Sequence, residues 1–138
     1  MAAGYSKRTL VEKLGIKPGA KIMIIDAPAD YERTLGALPE GTVSVARLKG
    51  PLDFIQIFTT RRRALESKFK AMKNALSPTG ALWISWPKGA SKVETDLNEN
   101  IIREIGLEKG LVDIKVCAVD ETWSGLKFVT RLRDRPHS

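Results

Sequence analysis

Few side chains in this chain can do chemistry, and their types restrict what that chemistry is. His137 is the only histidine and stands one residue from the C-terminus, so a Ser/His/Asp or Cys/His nucleophilic device lacks its base. Cys117 is the only cysteine; it has no partner for a disulfide, and a zinc site built on histidine or paired cysteines fails with it. What remains is a group of lysines, carboxylates and tryptophans beside expected turns: Asp26, Trp86, Lys88, Lys92, Asp120, Glu121, Trp123 and Ser124. Lys88 and Lys92 would clamp an anion, and an indole would stack on a planar group. Asp26 and Asp120 would serve as an acid and base pair if the fold placed them together. The plainer reading makes Trp83 and Trp86 core residues, Pro87 a strand stop, Lys88 a solvated lysine, and Asp120-Glu121 with Ser124-Gly125 ordinary turn residues. No residue is assigned a catalytic role, and neither a metal nor a cofactor is implied.

Charge marks a second candidate. The net charge is +7, and the excess is concentrated at 61–76, where Arg61, Arg62, Arg63, Lys68, Lys70 and Lys73 face Glu66 alone. Leu65, Phe69, Met72 and Leu76 recur there at helical spacing, so an apolar stripe faces inward and most of the cations face water. A nucleic-acid backbone or an acidic protein partner would use such a patch, although a solvated helix face needs neither. Nucleic acid is disfavoured, since no aromatic side chain lies among the exposed positions and no recognition motif surrounds them. Cations in the first turn oppose the helix dipole, a small cost that hints at an acidic partner.

These groups must be positioned by a chain of 138 residues, long enough for one domain with a real core. With 43% hydrophobic and 28% charged residues, the composition is that of a soluble globule. The N-terminal segment lacks a continuous apolar stretch, which argues against a secretory signal or membrane anchor and favours the cytoplasm. Thr9 to Gly15 reads as a helix closed by glycine, and Lys17-Pro18-Gly19 as a turn. Lys21–Ile25 has the unbroken apolar pattern of a strand buried on both faces. A helix over Asp30–Leu38 and a shorter strand over Thr42–Ala46 follow. Leu52–Phe58 is the next strand, and Thr60 is the expected N-cap of the basic helix. Ser77-Pro-Thr-Gly80 ends that helix before a strand over Ala81–Trp86. A helix over Asp96–Ile105 then presents Leu97, Ile101 and Ile105 to the sheet. Val112–Val119 and Leu126–Leu132 close the chain as an antiparallel pair, their connection being too short for a helical crossover.

Strands alternating with helices call for an α/β fold: a Rossmann-like three-layer sandwich with a mostly parallel sheet ending in an antiparallel hairpin. That layout resembles the methyltransferase-like domains, and Leu76-Ser-Pro-Thr-Gly-Ala-Leu-Trp-Ile-Ser85 is similar to their helix-turn-strand segment. More finely, Tyr5-Ser6, Leu14-Gly-Ile-Lys-Pro-Gly19, Trp83-Ile-Ser-Trp-Pro-Lys88, Thr95-Asp-Leu97, Gly110–Asp120 and Thr122–Val129 together resemble an uncharacterised bacterial domain family, a likeness that implies no activity. The turn after the first strand departs from the methyltransferase pattern. In such enzymes it carries glycines that let a cofactor approach bare backbone, whereas here it is Asp26-Ala-Pro-Ala-Asp30. Pro28 removes a donor, two alanines add β-carbons, and two aspartates repel an anionic group. Ala46-Arg47-Leu48 also supplies no acid for ribose hydroxyls. The expectation is a degenerate scaffold acting as a noncatalytic binding module through the turns at Trp86–Lys88 and Trp123-Ser124. Two alternatives stay open: an enzyme or sensor for a small anionic metabolite held by Lys88 and Lys92, and weak nucleic-acid binding through residues 61–73. An exposed edge strand would also admit a second copy.

Overall fold

The computed structural model describes residues 8–136; Tyr5-Ser6 and His137 lie outside them. The first helix, α1 (Leu10–Leu14), is nucleated by a reciprocal cap: the Thr9 hydroxyl accepts from the Glu12 N–H at 3.1 Å, and the Glu12 carboxylate accepts from the Thr9 N–H at 2.8 Å. Gly15 at φ 81° ends it in the left-handed region that glycine enters without steric cost.

The sheet has six strands among the described residues. They are β1 (Lys21–Ile25), β2 (Val43–Ser44), β3 (Leu52–Phe58), β4 (Leu76–Pro87), β5 (Leu111–Ala118) and β6 (Trp123–Thr130), in the order β2-β1-β3-β4-β6-β5. The first four run parallel, and β6 runs antiparallel to both β4 and β5. Because β6 reverses and β5 reverses again, β5 shares the direction of β1, β3 and β4. Their carboxyl ends therefore meet at one edge, joined by the start of β6. On one face, α3 (Arg62–Ala75) and α4 (Glu99–Glu108) bury Leu65, Phe69, Met72, Ile102 and Ile105 against Ile55, Ile57, Leu82, Ile84, Leu126 and Phe128. On the other, α1 and α2 (Tyr31–Leu35) cover Ile22, Phe54, Phe58 and Trp83. The indole N–H of Trp83 donates to the Leu14 carbonyl at 2.9 Å, fixing α1 to the sheet. This is the three-layer, mostly parallel architecture expected from the alternation of elements.

Several local boundaries differ from the sequence expectation. The second helix stops at Leu35 because Gly36 takes φ 80°. The strand expected over Thr42–Ala46 pairs only at Val43 and Ser44. No turn separates α3 from β4: the chain passes directly from Ala75 into the strand, and Leu76 pairs with Leu52 across a bulge. Asn98 caps α4, its side chain accepting from the Ile101 N–H at 2.9 Å. The buried stripe of that helix is Ile102, Ile105 and Gly106, while Leu97 is buried ahead of it. Thr60 does not cap α3. Its first turn receives Asp96, whose Oδ1 accepts from the Arg62 N–H at 2.7 Å. The last strand begins at Trp123, so Trp123 and Ser124 pair with Pro87 and Trp86.

Candidate functional site

The carboxyl edge of the sheet is where an open α/β fold leaves a crevice for ligands. Two of its turns are welded into one surface, since the Lys88 N–H donates to the Thr122 carbonyl at 2.8 Å. Within the first, the Lys88 carbonyl accepts from the Ser91 hydroxyl at 2.6 Å, and Lys92 takes φ 62° as the chain leaves a short 3-10 turn. Within the second, Asp120 Oδ1 accepts from the N–H groups of Thr122 and Trp123, each at 2.8 Å; Asp120 thus organises its own backbone. The ammonium groups of Lys88 and Lys92 have no partner among the described residues. Trp123 is half-buried, its ring edge-on to Phe58 with centroids 5.1 Å apart, and Ser124 beside it is also half-buried. Trp86 points the other way and is 6% exposed in the α3/α4 core, so its indole steadies the turn from within.

Asp26 and Asp120 engage different partners. Asp26 accepts from Lys68 Nζ at 2.7 Å on the α3 side, whereas Asp120 holds its own turn. The basic helix is similarly engaged. Arg61 pairs with Glu94 at 3.2 Å and Arg62 with Glu66 at 3.3 Å, and Lys73 Nζ donates to the Lys109 carbonyl at 2.6 Å. Arg63 and Lys70 stay exposed without a partner among the described residues.

Sequence reasoning missed a buried polar chain beneath this edge. The Tyr31 hydroxyl donates to Gln56 Oε1 at 2.7 Å, and Gln56 Nε2 donates to Ser85 Oγ at 3.1 Å. All three residues are buried. Burial pushes the Tyr31 phenol well above its ordinary pKa, with Asp120 and Cys117 adding to the rise. The phenol therefore stays neutral and donates a hydrogen bond; it is no base. The visible signal was Gln56 interrupting the apolar strand Leu52–Phe58, a polar residue that burial obliges to find partners.

A cavity of about 950 Å³ lies between the end of β1, α2 and β2, bordered by Ile24, Pro28, Asp30, Tyr31, Arg33 and Ser44. Lys88 and Lys92 do not line it. A methyltransferase-like fold implies an adenosyl cofactor at this strand end, and the residues present fit one poorly. Asp26 and Asp30 occupy left-handed backbone, at φ 56° and 65°, so the path a glycine would take carries β-carbons and carboxylates. Pro28 has no N–H, and the Tyr31 N–H is held by the Pro28 carbonyl at 3.1 Å. Ser44, exposed on the two-residue strand β2, is the polar side chain that β2 adds to the border, and Ala46-Arg47-Leu48 beyond it supplies no acid for ribose hydroxyls.

No family model and no curated protein matches the sequence. Solved structures do. A TehB-like SAM-dependent methyltransferase from Corynebacterium glutamicum is 14% identical with a TM-score of 0.57, covering 94% of this chain and 91% of that one. The N-methyltransferase NodS from Bradyrhizobium japonicum is 13% identical with a TM-score of 0.59, covering 86% and 90%. A SAM-dependent methyltransferase from Aquifex aeolicus is 16% identical with a TM-score of 0.55, covering 86% of each chain. At such identities the likeness is one of fold: the chain has a methyltransferase-like Rossmann architecture. Among the described residues no helix is long and apolar enough to cross a membrane, and no cluster of three or more His, Cys, Asp or Glu side chains is placed to hold a metal.

Proposed function

We propose that this chain is a noncatalytic binding module on a methyltransferase-like scaffold, with the joined turns 88–92 and 120–124 as its docking surface for an acidic protein partner. The carrying observation is the loop 26–30, where two left-handed aspartates and a proline stand in place of backbone donors. Lys88 and Lys92 supply unpaired positive charge, and the half-buried Trp123 supplies an apolar anchor of the kind that concentrates binding energy in interfaces. In this reading residues 1–138 act as one cytoplasmic domain, and the resemblance to the uncharacterised bacterial family belongs to the same proposal.

Native mass spectrometry after incubation with S-adenosylmethionine tests the reading. The bare chain mass is expected, and a stoichiometric adenosyl adduct overturns it. The docking surface is tested with hexaglutamate, followed through backbone amide shifts. The expected shifts map to 88–92 and 120–124 and weaken in Lys88→Glu; shifts confined to Arg63 and Lys70 would move the acidic-partner site to α3.

A further inference from the structure

The amino edge of the sheet, opposite the docking turns, gathers three lysines on the α1 face without an acidic partner among the described residues. Lys115 and Lys127 are directly paired across β5 and β6. Lys115 is satisfied, its Nζ donating to the Lys13 carbonyl at 3.1 Å, where the end of α1 presents free carbonyls. Lys127 is not. Its Nζ lies against Gly15, at 3.5 Å from where a β-carbon on that glycine would stand, and no acceptor meets it among the described residues. It is half-buried, and burial first, then the charges of Lys115 and Lys17, push its pKa below the usual lysine value.

A cavity of about 420 Å³ opens at this point, with Lys17, Asp53, Phe54, Thr79, Lys127 and Val129 on its walls. Asp53 is the one carboxylate on those walls, and its Oδ2 accepts from the Lys21 N–H at 2.9 Å, which commits it to the start of β1. The Thr79 hydroxyl has no partner among the described residues and is exposed. Phe54 is buried beneath, and Ala81 with Val129 completes an apolar wall. A partly desolvated ammonium beside two like charges is unfavourable by desolvation and by Coulomb repulsion, and nothing in the described fold compensates it. A bound anion would.

We infer that this cavity is a binding site for a small organic anion, a phosphate monoester or carboxylate, held by Lys127 and Lys17 with its apolar part against Phe54 and Val129. The site is separate from the docking turns and does not rest on the function proposed for them. Both sources of the anion are distinguished by titrating phenyl phosphate and phenylacetate in parallel into the isotopically labelled chain. At least one is expected to give saturable amide shifts at Gly15, Lys17, Gly19 and Lys127. Lys127→Met, which keeps the stem and removes the charge, should weaken binding about tenfold or more, the loss of one charge-assisted hydrogen bond. Lys70→Met, on the other side of the sheet, should bind like the parent. Absence of saturable shifts with both compounds to about 10 mM, or equal affinity in Lys127→Met, overturns the inference. Should Lys127→Met fail to fold, Lys17→Met and the parent's own Lys127 titration decide. The Lys127 pKa must rise when the anion is added, and an unmoved value overturns the site.

Discussion

Gln56 is held at both ends, by the Tyr31 hydroxyl and by Ser85, and its neighbours give it no route to water. Gln56→Leu keeps the volume roughly but strands two buried polar groups. Each unsatisfied group costs about 1–3 kcal/mol, so urea denaturation should show a loss of that order or more; a neutral variant would mean that the chain is not closed. Gly106 carries a different constraint. A β-carbon there would overlap the Phe128 ring, so Gly106→Ala must displace that ring, at about 1–3 kcal/mol. Lys127 has the opposite sign. Its pKa is lowered on folding, so the folded state holds its proton less tightly than the unfolded chain. The penalty is present in full below the folded pKa and is relieved as pH rises toward the unfolded value. Lys127→Met should therefore be at least as stable as the parent near neutral pH, with the gap closing in alkali; a less stable variant at neutral pH would show that the ammonium has a stabilising contact.

At the scale of elements, α3 shows what a linear reading can and cannot find. Its apolar stripe of Leu65, Phe69 and Met72 was legible because burial repeats with the helical period. Its cap was not, because Asp96 reaches the Arg62 N–H from 34 residues away. The three consecutive arginines at its start become less costly once that carboxylate sits on the dipole. Asp96→Ala should cost about 1 kcal/mol by thermal or urea unfolding, and Asp96→Asn much less, because a side-chain oxygen alone satisfies the N–H. Equal losses in the two would point to charge as the main term. Strand β1 was legible because its apolar run after Lys21 has only one comfortable place, the centre of a covered sheet, and β3 was legible from a mostly apolar run broken only by Asp53 and Gln56. Helix α2 and strand β2 were overdrawn. Gly36 stops α2 through its left-handed backbone, and β2 pairs at only two residues with its side chains exposed, so no periodicity fixed its length.

For the whole molecule, the order β2-β1-β3-β4-β6-β5 decides which sequence candidates can act together. It joins Lys88 to Thr122 by placing Trp123 opposite Pro87. Residue types alone named these turns, but pairing register had to say which of them touch. The lysine cavity at the opposite edge escaped the sequence for the same reason, since Lys17 and Lys127 are 110 positions apart and meet only through the fold. The charge excess at 61–76 is shared out by the fold: Arg61, Arg62 and Lys68 find carboxylates from the rest of the chain or their own helix, while Arg63 and Lys70 stay exposed.

The architecture is methyltransferase-like, while the loop 26–30 presents carboxylates and a proline at the strand end where open backbone would be needed to admit an adenosyl cofactor. Calorimetric titration of the full chain with S-adenosylhomocysteine sets these two facts against each other. The account predicts no saturable heat up to about 1 mM ligand; a dissociation constant of about 10 μM or tighter, lost when Asp30 is replaced, would contradict it.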